Sequence, residues 1–374
     1  MALMKMLLIT LIVLAILVMV GTLLYLQHPK FGPSIDNSAF TGEQASPNYA
    51  NGSFQNLEPT AVLAGDNTTA SIILQSVFNR PENLRPDIRI PTQNTELKTL
   101  DKQQDLVIWL GHSSYYVQLG GRRILIDPVF SQNAAPVSFA TEAFAGTNTY
   151  SAEEMPDIDY LLVTHDHWDH LDYPTLLALR NKVRHVVCGL GIDQYFLHWG
   201  YAKERVHAGD WFTAMTLDSD FTIHIVPARH YSGRLFTKNQ TQWASFVLEA
   251  SGRRLLLGGD SGYGQHFAKI AERFKDFDLV ALDMGQYDER WRYIHMTPEE
   301  AAQTADELHT RTLLPAHVGR FTIAAHSWDE PFERIVKASE GKNYRLATPK
   351  IGEPVVLADE HQTFTHWWKT STDE

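Results

Sequence analysis

Nine residues constrain this chain more than any others. Thr164-His165-Asp166-His167-Trp168-Asp169-His170-Leu171-Asp172 holds three histidines and three aspartates directly behind the apolar run Ile158-Asp159-Tyr160-Leu161-Leu162-Val163. A short apolar run ending in a polar cluster predicts a buried strand whose C-terminal end opens into a loop of side chains. In α/β sheets that end is where ligands sit. Imidazole and carboxylate donors together suit zinc, manganese or iron rather than calcium or magnesium, which take oxygen shells. His165 and His167 could share one ion, with Asp169 and His170 turned toward a second.

Three later segments place a donor after a strand-like run. His230 follows Phe221-Thr222-Ile223-His224-Ile225-Val226, Asp260 sits in the glycine-flanked turn Leu257-Gly258-Gly259-Asp260-Ser261-Gly262, and His317 follows Leu313-Leu314-Pro315-Ala316. Each alone has a plain structural explanation as a loop histidine, a turn former or a surface residue.

A weak internal repeat runs through the same region. Tyr116 to Asp127 echoes Phe246 to Leu257, each reading as strand, glycine-containing turn and strand, and Asp157 to Leu162 echoes Asp276 to Ala281. Tyr173-Pro174-Thr175 and Thr297-Pro298-Glu299-Glu300 then open helical stretches, with proline at a first-turn position. Two similar α/β halves can pack sheet against sheet with helices outside.

The spacing His165-x-His167-x-Asp169-His170 resembles the signature of the metallo-β-lactamase superfamily, over roughly residues 105 to 345. The order and strand-end placement of His230, Asp260 and His317 match that family. The resemblance implies an α/β fold, a four-layer αβ/βα sandwich with metals at the rim between the halves. It implies that His165, His167 and His230 bind one metal, that Asp169, His170 and His317 bind the other, and that Asp260 bridges them. The implied cofactors are two divalent ions, Zn2+ first with Mn2+ or Fe2+ as alternatives. A hydroxide held between two such ions is nucleophilic near neutral pH, with Asp169 orienting it or taking its proton. Asp127 either fixes a ligand histidine from behind or ends a strand in a turn. His112 either faces the site or is buried and hydrogen-bonded elsewhere.

Gln286-Tyr287-Asp288-Glu289-Arg290-Trp291 and His295-Met296-Thr297-Pro298, with Trp109-Leu110-Gly111-His112 and Asp127-Pro128-Val129-Phe130-Ser131, resemble one branch of the superfamily. It contains the N-acyl-phosphatidylethanolamine-hydrolysing phospholipases D, and ascorbate-6-phosphate lactonases share part of the pattern. That resemblance implies a catalytic role for His295 at the leaving group or phosphate, beside Asp169 and Asp260, and substrate contacts from Arg290 and Trp291. Residues 133–146 hold no Arg or Lys, where a phosphate-handling relative is expected to carry one. The loop instead offers Phe139 and Phe144, to an interface, an acyl groove or the core. The expected function is a dinuclear-metal phosphodiesterase acting on a lipid-like substrate. The alternatives are a lactonase or ester hydrolase with the same site and, from another class, a non-catalytic metal-binding membrane protein.

The N-terminus adds a location. Met6 to Leu26 carries no charge and is long enough to cross a bilayer, for which about twenty apolar residues suffice. No small-residue cleavage site follows, so an uncleaved signal-anchor is expected over a cleaved signal peptide. With the short N-terminus inside, the remainder lies across the membrane, in the periplasm if the source is bacterial. The expected division is 1–27 anchor, 28–95 linker and wrapping segment, and 96–374 catalytic domain. Within the segment, Ser46 to Asn56 resembles an extension of bacterial membrane-associated members, while Phe54 to Leu57 and Ile72-Ile73-Leu74 read as docking points. A net charge of −12 argues against a nucleic-acid partner. The single Cys188 lies in an apolar run and reads as an inert buried thiol. The sequence assigns no oligomeric state.

Overall fold

A computed structural model describes residues 1–41, 45–68, 71–72, 81–234 and 237–369. The first element, α1 (Ala2–Leu26), buries none of its residues. Strands β1 (Tyr49–Ala50) and β2 (Ser53–Phe54) form a small hairpin. The first half then runs β3 (Leu106–Trp109), β4 (Tyr115–Leu119), β5 (Arg122–Ile126), β6 (Ile158–Val163), α2 (Tyr173–Leu179), β7 (Val183–Gly189), α3 (Asp193–His198) and β8 (Val206–Gly209). The second runs β9 (Ala214–Asp218), β10 (Phe221–Val226), β11 (Ser245–Ala250), β12 (Arg253–Leu257), α4 (Gln265–Arg273), β13 (Leu279–Asp283), α5 (Pro298–Glu307), β14 (Thr312–Ala316), α6 (Glu330–Ala338) and β15 (Arg345–Leu346). A last strand, β16 (Pro354–Val356), returns to pair with β3 in the first sheet.

The expected repeat is visible as topology. The sheets are ordered β16-β3-β4-β5-β6-β7-β8 and β9-β10-β11-β12-β13-β14-β15. In each, four strands pair antiparallel and three more continue parallel to the fourth. Both central hairpins close through two residues at positive φ, Gly120-Gly121 (56° and 70°) and Ser251-Gly252 (54° and 73°). Such turns match the right-handed twist of the flanking strands. The echoing aspartates also act alike: Asp159 accepts from the Arg123 amide at 2.9 Å and Asp278 from the Arg254 amide at 2.8 Å, each tying a parallel strand to its hairpin.

Alternation along the strands sorts residues between layers, because successive side chains leave opposite faces. Val107, Tyr115, Val117, Ile124, Tyr160 and Leu162 join Ile223, Ile225, Phe246 and Leu248 in the core between the sheets. Their neighbours Leu106, Ile108, Tyr116, Leu125, Leu161 and Val163 pack under α2 and α3 through Leu176, Leu179 and Phe196. Both faces are covered, so the strands read as continuous apolar runs. Asp172 occupies the position before α2, and its carboxylate accepts from the Ser131 amide (3.2 Å) and hydroxyl and from the Thr175 hydroxyl, tying the loop of residues 164–172 to the 131–144 loop.

Described residues between 28 and 95 pack onto this body at separate points. Phe54 is buried in the core and its amide donates to the Asn239 carbonyl at 2.8 Å, while the Ile90 amide donates to Ala145 at 2.8 Å. The predicted docking residues Ile73 and Leu74 lie outside the described residues. Cys188 is fully buried on β7, and burial pushes its thiol well above its ordinary range. A thiol reagent at neutral pH is therefore expected to leave the native protein unlabelled and to label one site after denaturation, counted by intact-mass spectrometry.

Candidate metal centre

The predicted donors converge at one rim because every strand carrying one ends there. β6 runs into His165, His167, Asp169 and His170; β10 leads to His230; β12 leads to Asp260; β14 leads to His317. Two groups result, with ligand atoms all within 4.8 Å of one another: His165, His167, His230 and Asp260, and His112, Asp169, His170 and His317. Within the first, His165 Nε2 and His230 Nε2 lie 2.9 and 3.3 Å from His167 Nδ1, and 3.7 and 3.6 Å from Asp260 Oδ2. Within the second, Asp169 Oδ2 lies 3.7 Å from His170 Nε2 and 3.3 Å from His317 Nε2. Asp260 also reaches this side, with Oδ1 3.1 Å from His170 Nε2 and Oδ2 3.3 Å from His317 Nε2. One carboxylate thus stands between the two sets of imidazoles.

These residues fit divalent cations. Two donors bonded at 2.0–2.1 Å to one tetrahedral ion stand about 3.3 Å apart, close to the separations here. His170 Nε2 and Asp260 Oδ1, which face the cluster, are buried without a hydrogen-bond partner, an arrangement that is costly unless something else takes up those atoms.

A ring of acceptors holds the imidazoles from behind. Asp127 Oδ2 lies 2.7 Å from His170 Nδ1, and its other oxygen accepts from the Thr164 amide at 2.8 Å. Asp283 lies 3.1 Å from His317 Nδ1 and 2.7 Å from His295 Nδ1. His230 Nδ1 lies 3.0 Å from the Ile294 carbonyl. A proton on Nδ1 directed at an oxygen leaves Nε2 as the donor to a metal. His112 reaches the site, with Nε2 2.9 Å from Asp169 Oδ2. Backbone strain marks the same places: His112, Asp127 and His317 have φ of 56°, 41° and 59°. Non-glycine residues in the left-handed region cost on the order of 1–3 kcal/mol and cluster at functional sites.

The field in the cluster is divided. Burial holds His165 and His230 well below the usual imidazole range. Burial also opposes a charge on His170 and His317, but Asp260 with Asp169 and Asp127 around the first, and Asp260 with Asp283 beside the second, outweighs it; His170 is held well above its ordinary value and His317 is raised to about 10. Asp169 and Asp260 are held well below the carboxylate range, with burial opposed by His170 and its neighbours.

Other expected site residues divide. His295 sits at the rim and forms a third compact group with Asp260, Asp283 and His317. It lines a cavity of about 330 Å3 with Tyr287, Arg292, Thr297, His326 and Arg334. Arg290 is turned back onto Asp288, with contacts of 2.8 and 2.5 Å, and the Trp291 indole donates to the Gln286 carbonyl at 2.8 Å. Both are engaged inside their own loop, and the cavity is lined by Arg292 and Arg334 together with Asp288, Glu289 and Glu300, with Arg292 3.7 Å from Glu289. Phe144 is buried in the core, whereas Phe139 is 87% exposed. Asp283 was missed by sequence reasoning; the available signal was an aspartate closing the apolar run Leu279-Val280-Ala281-Leu282, as Asp127 closes β5. Arg234 was missed as well. Its guanidinium lies 3.7 Å from the Trp168 ring and donates to the Asp166 and Leu171 carbonyls at 3.1 and 2.7 Å, bracing the ligand loop.

Comparison with known proteins agrees with this geometry. The profile of the beta-lactamase superfamily domain matches residues 122–318. The chain belongs to the metallo-β-lactamase superfamily, and its fold and donor clusters are those of a metal-dependent hydrolase. It is 33% identical over 330 residues to an uncharacterized protein of Mycobacterium tuberculosis, covering 87% of this chain and 88% of that one. It is 27% identical over 295 residues to N-acyl-phosphatidylethanolamine-hydrolyzing phospholipase D 1 of Caenorhabditis elegans, covering 71% of this chain and 80% of that one. A metallo hydrolase of Ignicoccus hospitalis superposes with a TM-score of 0.50 at 18% identity, over 67% of this chain and 97% of that one, a likeness of fold.

Proposed function

We propose that the protein is a membrane-anchored phosphodiesterase that cleaves a lipid-like substrate at the rim between the two sheets. The observation that carries this reading is His295, which is backed by Asp283 at 2.7 Å and opens onto the cavity beside the donor clusters. The Caenorhabditis elegans relative, named for a phospholipase D activity, supports it over 71% of the chain. His165, His167 and His230 would hold one cation, Asp169, His170 and His317 the other, with Asp260 between them. Zn2+ suits the donor set, with Mn2+ or Fe2+ as alternatives. Two bound cations supply an acidified water and a counter-charge for the developing oxyanion.

The chain's own residues do the rest. Asp169 is oriented by His112 and accepts a proton from the attacking water. Asp127 and Asp283 keep His170 and His317 in the tautomer that presents Nε2. His295, with Nδ1 engaged by Asp283, presents Nε2 to give a proton to the departing oxygen. The 133–146 loop accommodates acyl chains near Phe139. The same reading divides the chain at about residues 27 and 95, with α1 as a single-pass anchor and the body across the membrane.

One observation favours a second reading. The 133–146 loop lacks a cation, which a lactone or carboxylic ester does not require. Purified full-length protein is therefore tested against N-acyl phosphatidylethanolamine, simple phosphodiesters and lactones, alongside metal analysis. Phosphodiester turnover with about two metal equivalents is expected. Inert phosphodiesters beside lactone turnover would establish the second reading, and no turnover of any substrate at full metal content would leave a binding protein.

A further inference from the structure

The anchor does not end in a free tether. Its last turn and the residues after it are fastened to the rim that carries the donor clusters. Lys30 Nζ donates to the Pro136 carbonyl at 2.7 Å and to Tyr25 Oη at 2.7 Å, and the Tyr25 hydroxyl also donates to Pro136. The Trp199 indole donates to the Pro29 carbonyl at 2.8 Å. Phe31 is buried edge-on against Trp168 at 5.5 Å, and Trp168 lies between the donors His167 and Asp169. Between helix end and rim lies a cavity of about 360 Å3, lined by Tyr25, Lys30, Trp168 and Tyr173 among others.

Three residues beyond Pro136, Phe139 stands 87% exposed, more than any other described large apolar side chain that follows α1. A lone exposed phenylalanine is ordinary on a protein surface. Here it projects from a loop whose one charged residue, Glu142, faces Arg85 at 3.9 Å, and the loop is stitched to the end of a helix with mean hydropathy 3.0 and no buried residue. At 1.5 Å per residue that helix is about 37 Å long, enough for a hydrocarbon core of about 30 Å. Tyr25 and Lys30 at its end are residue types that settle at the headgroup level.

We propose that the rim bearing the metal cluster is the face this protein presents to a lipid bilayer, with the Phe139 loop dipping into the interface beside the anchor. The proposal rests on the reading of α1 as a membrane span and of the substrate as lipid-like. It deepens that reading: the cavity beside His295 opens at the height of the headgroups, so substrate arrives from the membrane plane. The opposite rim, where Glu360 faces Arg311 at 3.6 Å ahead of β14, points away from the bilayer.

Cys188 is buried, so single cysteines placed elsewhere report alone. Phe139→Cys and, as a second position on the loop, Ser138→Cys are each labelled with NBD, with Glu360→Cys as the distal control. The full chain is reconstituted into vesicles of phosphatidylethanolamine and phosphatidylglycerol. Probes at 138 and 139 are expected to emit further to the blue and to lose most of their intensity to doxyl-labelled phosphatidylcholine, while the probe at 360 loses none. Protein that floats with the vesicles while both loop probes behave like position 360 overturns the orientation but keeps the anchor. Protein that does not float overturns the span reading and the orientation with it. Loop probes shielded from aqueous iodide yet untouched by doxyl lipid assign the surface to a second copy of the chain and overturn the proposal.

Discussion

Asp260→Ala is expected to abolish turnover and to strip bound metal. The Asp260 carboxylate lies within 3.1 to 3.7 Å of the imidazoles of His165, His170, His230 and His317, contributed by three separate strand ends. Removing it deletes a donor from both candidate ion positions and a negative charge that offsets the surrounding cations. Loss of charge stabilisation at such a centre costs roughly a hundredfold to a thousandfold in rate per interaction, and two positions are affected at once. Activity is measured against the best substrate of the panel, and metal content by plasma mass spectrometry after dialysis. Asp260→Asn keeps the shape, so a folded Asn variant with the same defects separates chemistry from collapse. Full metal content with normal turnover would refute the bridging role.

Asp283→Ala is expected to weaken metal binding and turnover by about 10- to 100-fold, the usual cost of losing a partner behind a ligand. Asp283 is buried, sits at the end of β13 and accepts from two rim histidines, His295 at 2.7 Å and His317 at 3.1 Å. Without it His317 loses the contact that directs Nε2 toward Asp169 and Asp260, and His295 loses the partner that orients it over the cavity. The readouts are the competition constant against a fluorescent chelator and the split between kcat and KM. Asp283→Glu, which can restore the carboxylate, is expected to recover part of both. A role confined to stability would instead lower the melting temperature and leave metal affinity unchanged.

The two aspartates differ in how readable they were. Asp260 stood out because glycines flank it after an apolar run, a local turn pattern. Asp283 closes an apolar run as Asp127 does, but its meaning depends on His295, twelve residues on, and His317, thirty-four residues on, being brought back to it. His112 is similar. Its left-handed backbone after Gly111 and its 2.9 Å contact with Asp169, fifty-seven residues away, arise from packing two strand ends side by side. Arg290 shows another case: the family resemblance implied a substrate contact, and in the structure its guanidinium lies against Asp288, two residues earlier.

What the sequence determined by itself was local: which residues alternate along each strand, where apolar runs stop, and which donor types follow them. Period-two alternation and two-residue turns depend on near neighbours, so the hairpins, their repetition and the candidate donor types that follow the strands were legible. Only the tertiary structure decided which strand ends share a rim, that β16 closes the first sheet, that Asp283 and His112 lie against the candidate donors, and that the segment after the membrane-length helix meets the loop of residues 164–172 through Phe31 and Trp168. Those contacts link residues tens to hundreds of positions apart, and they follow from how two twisted sheets stack and bury their shared core.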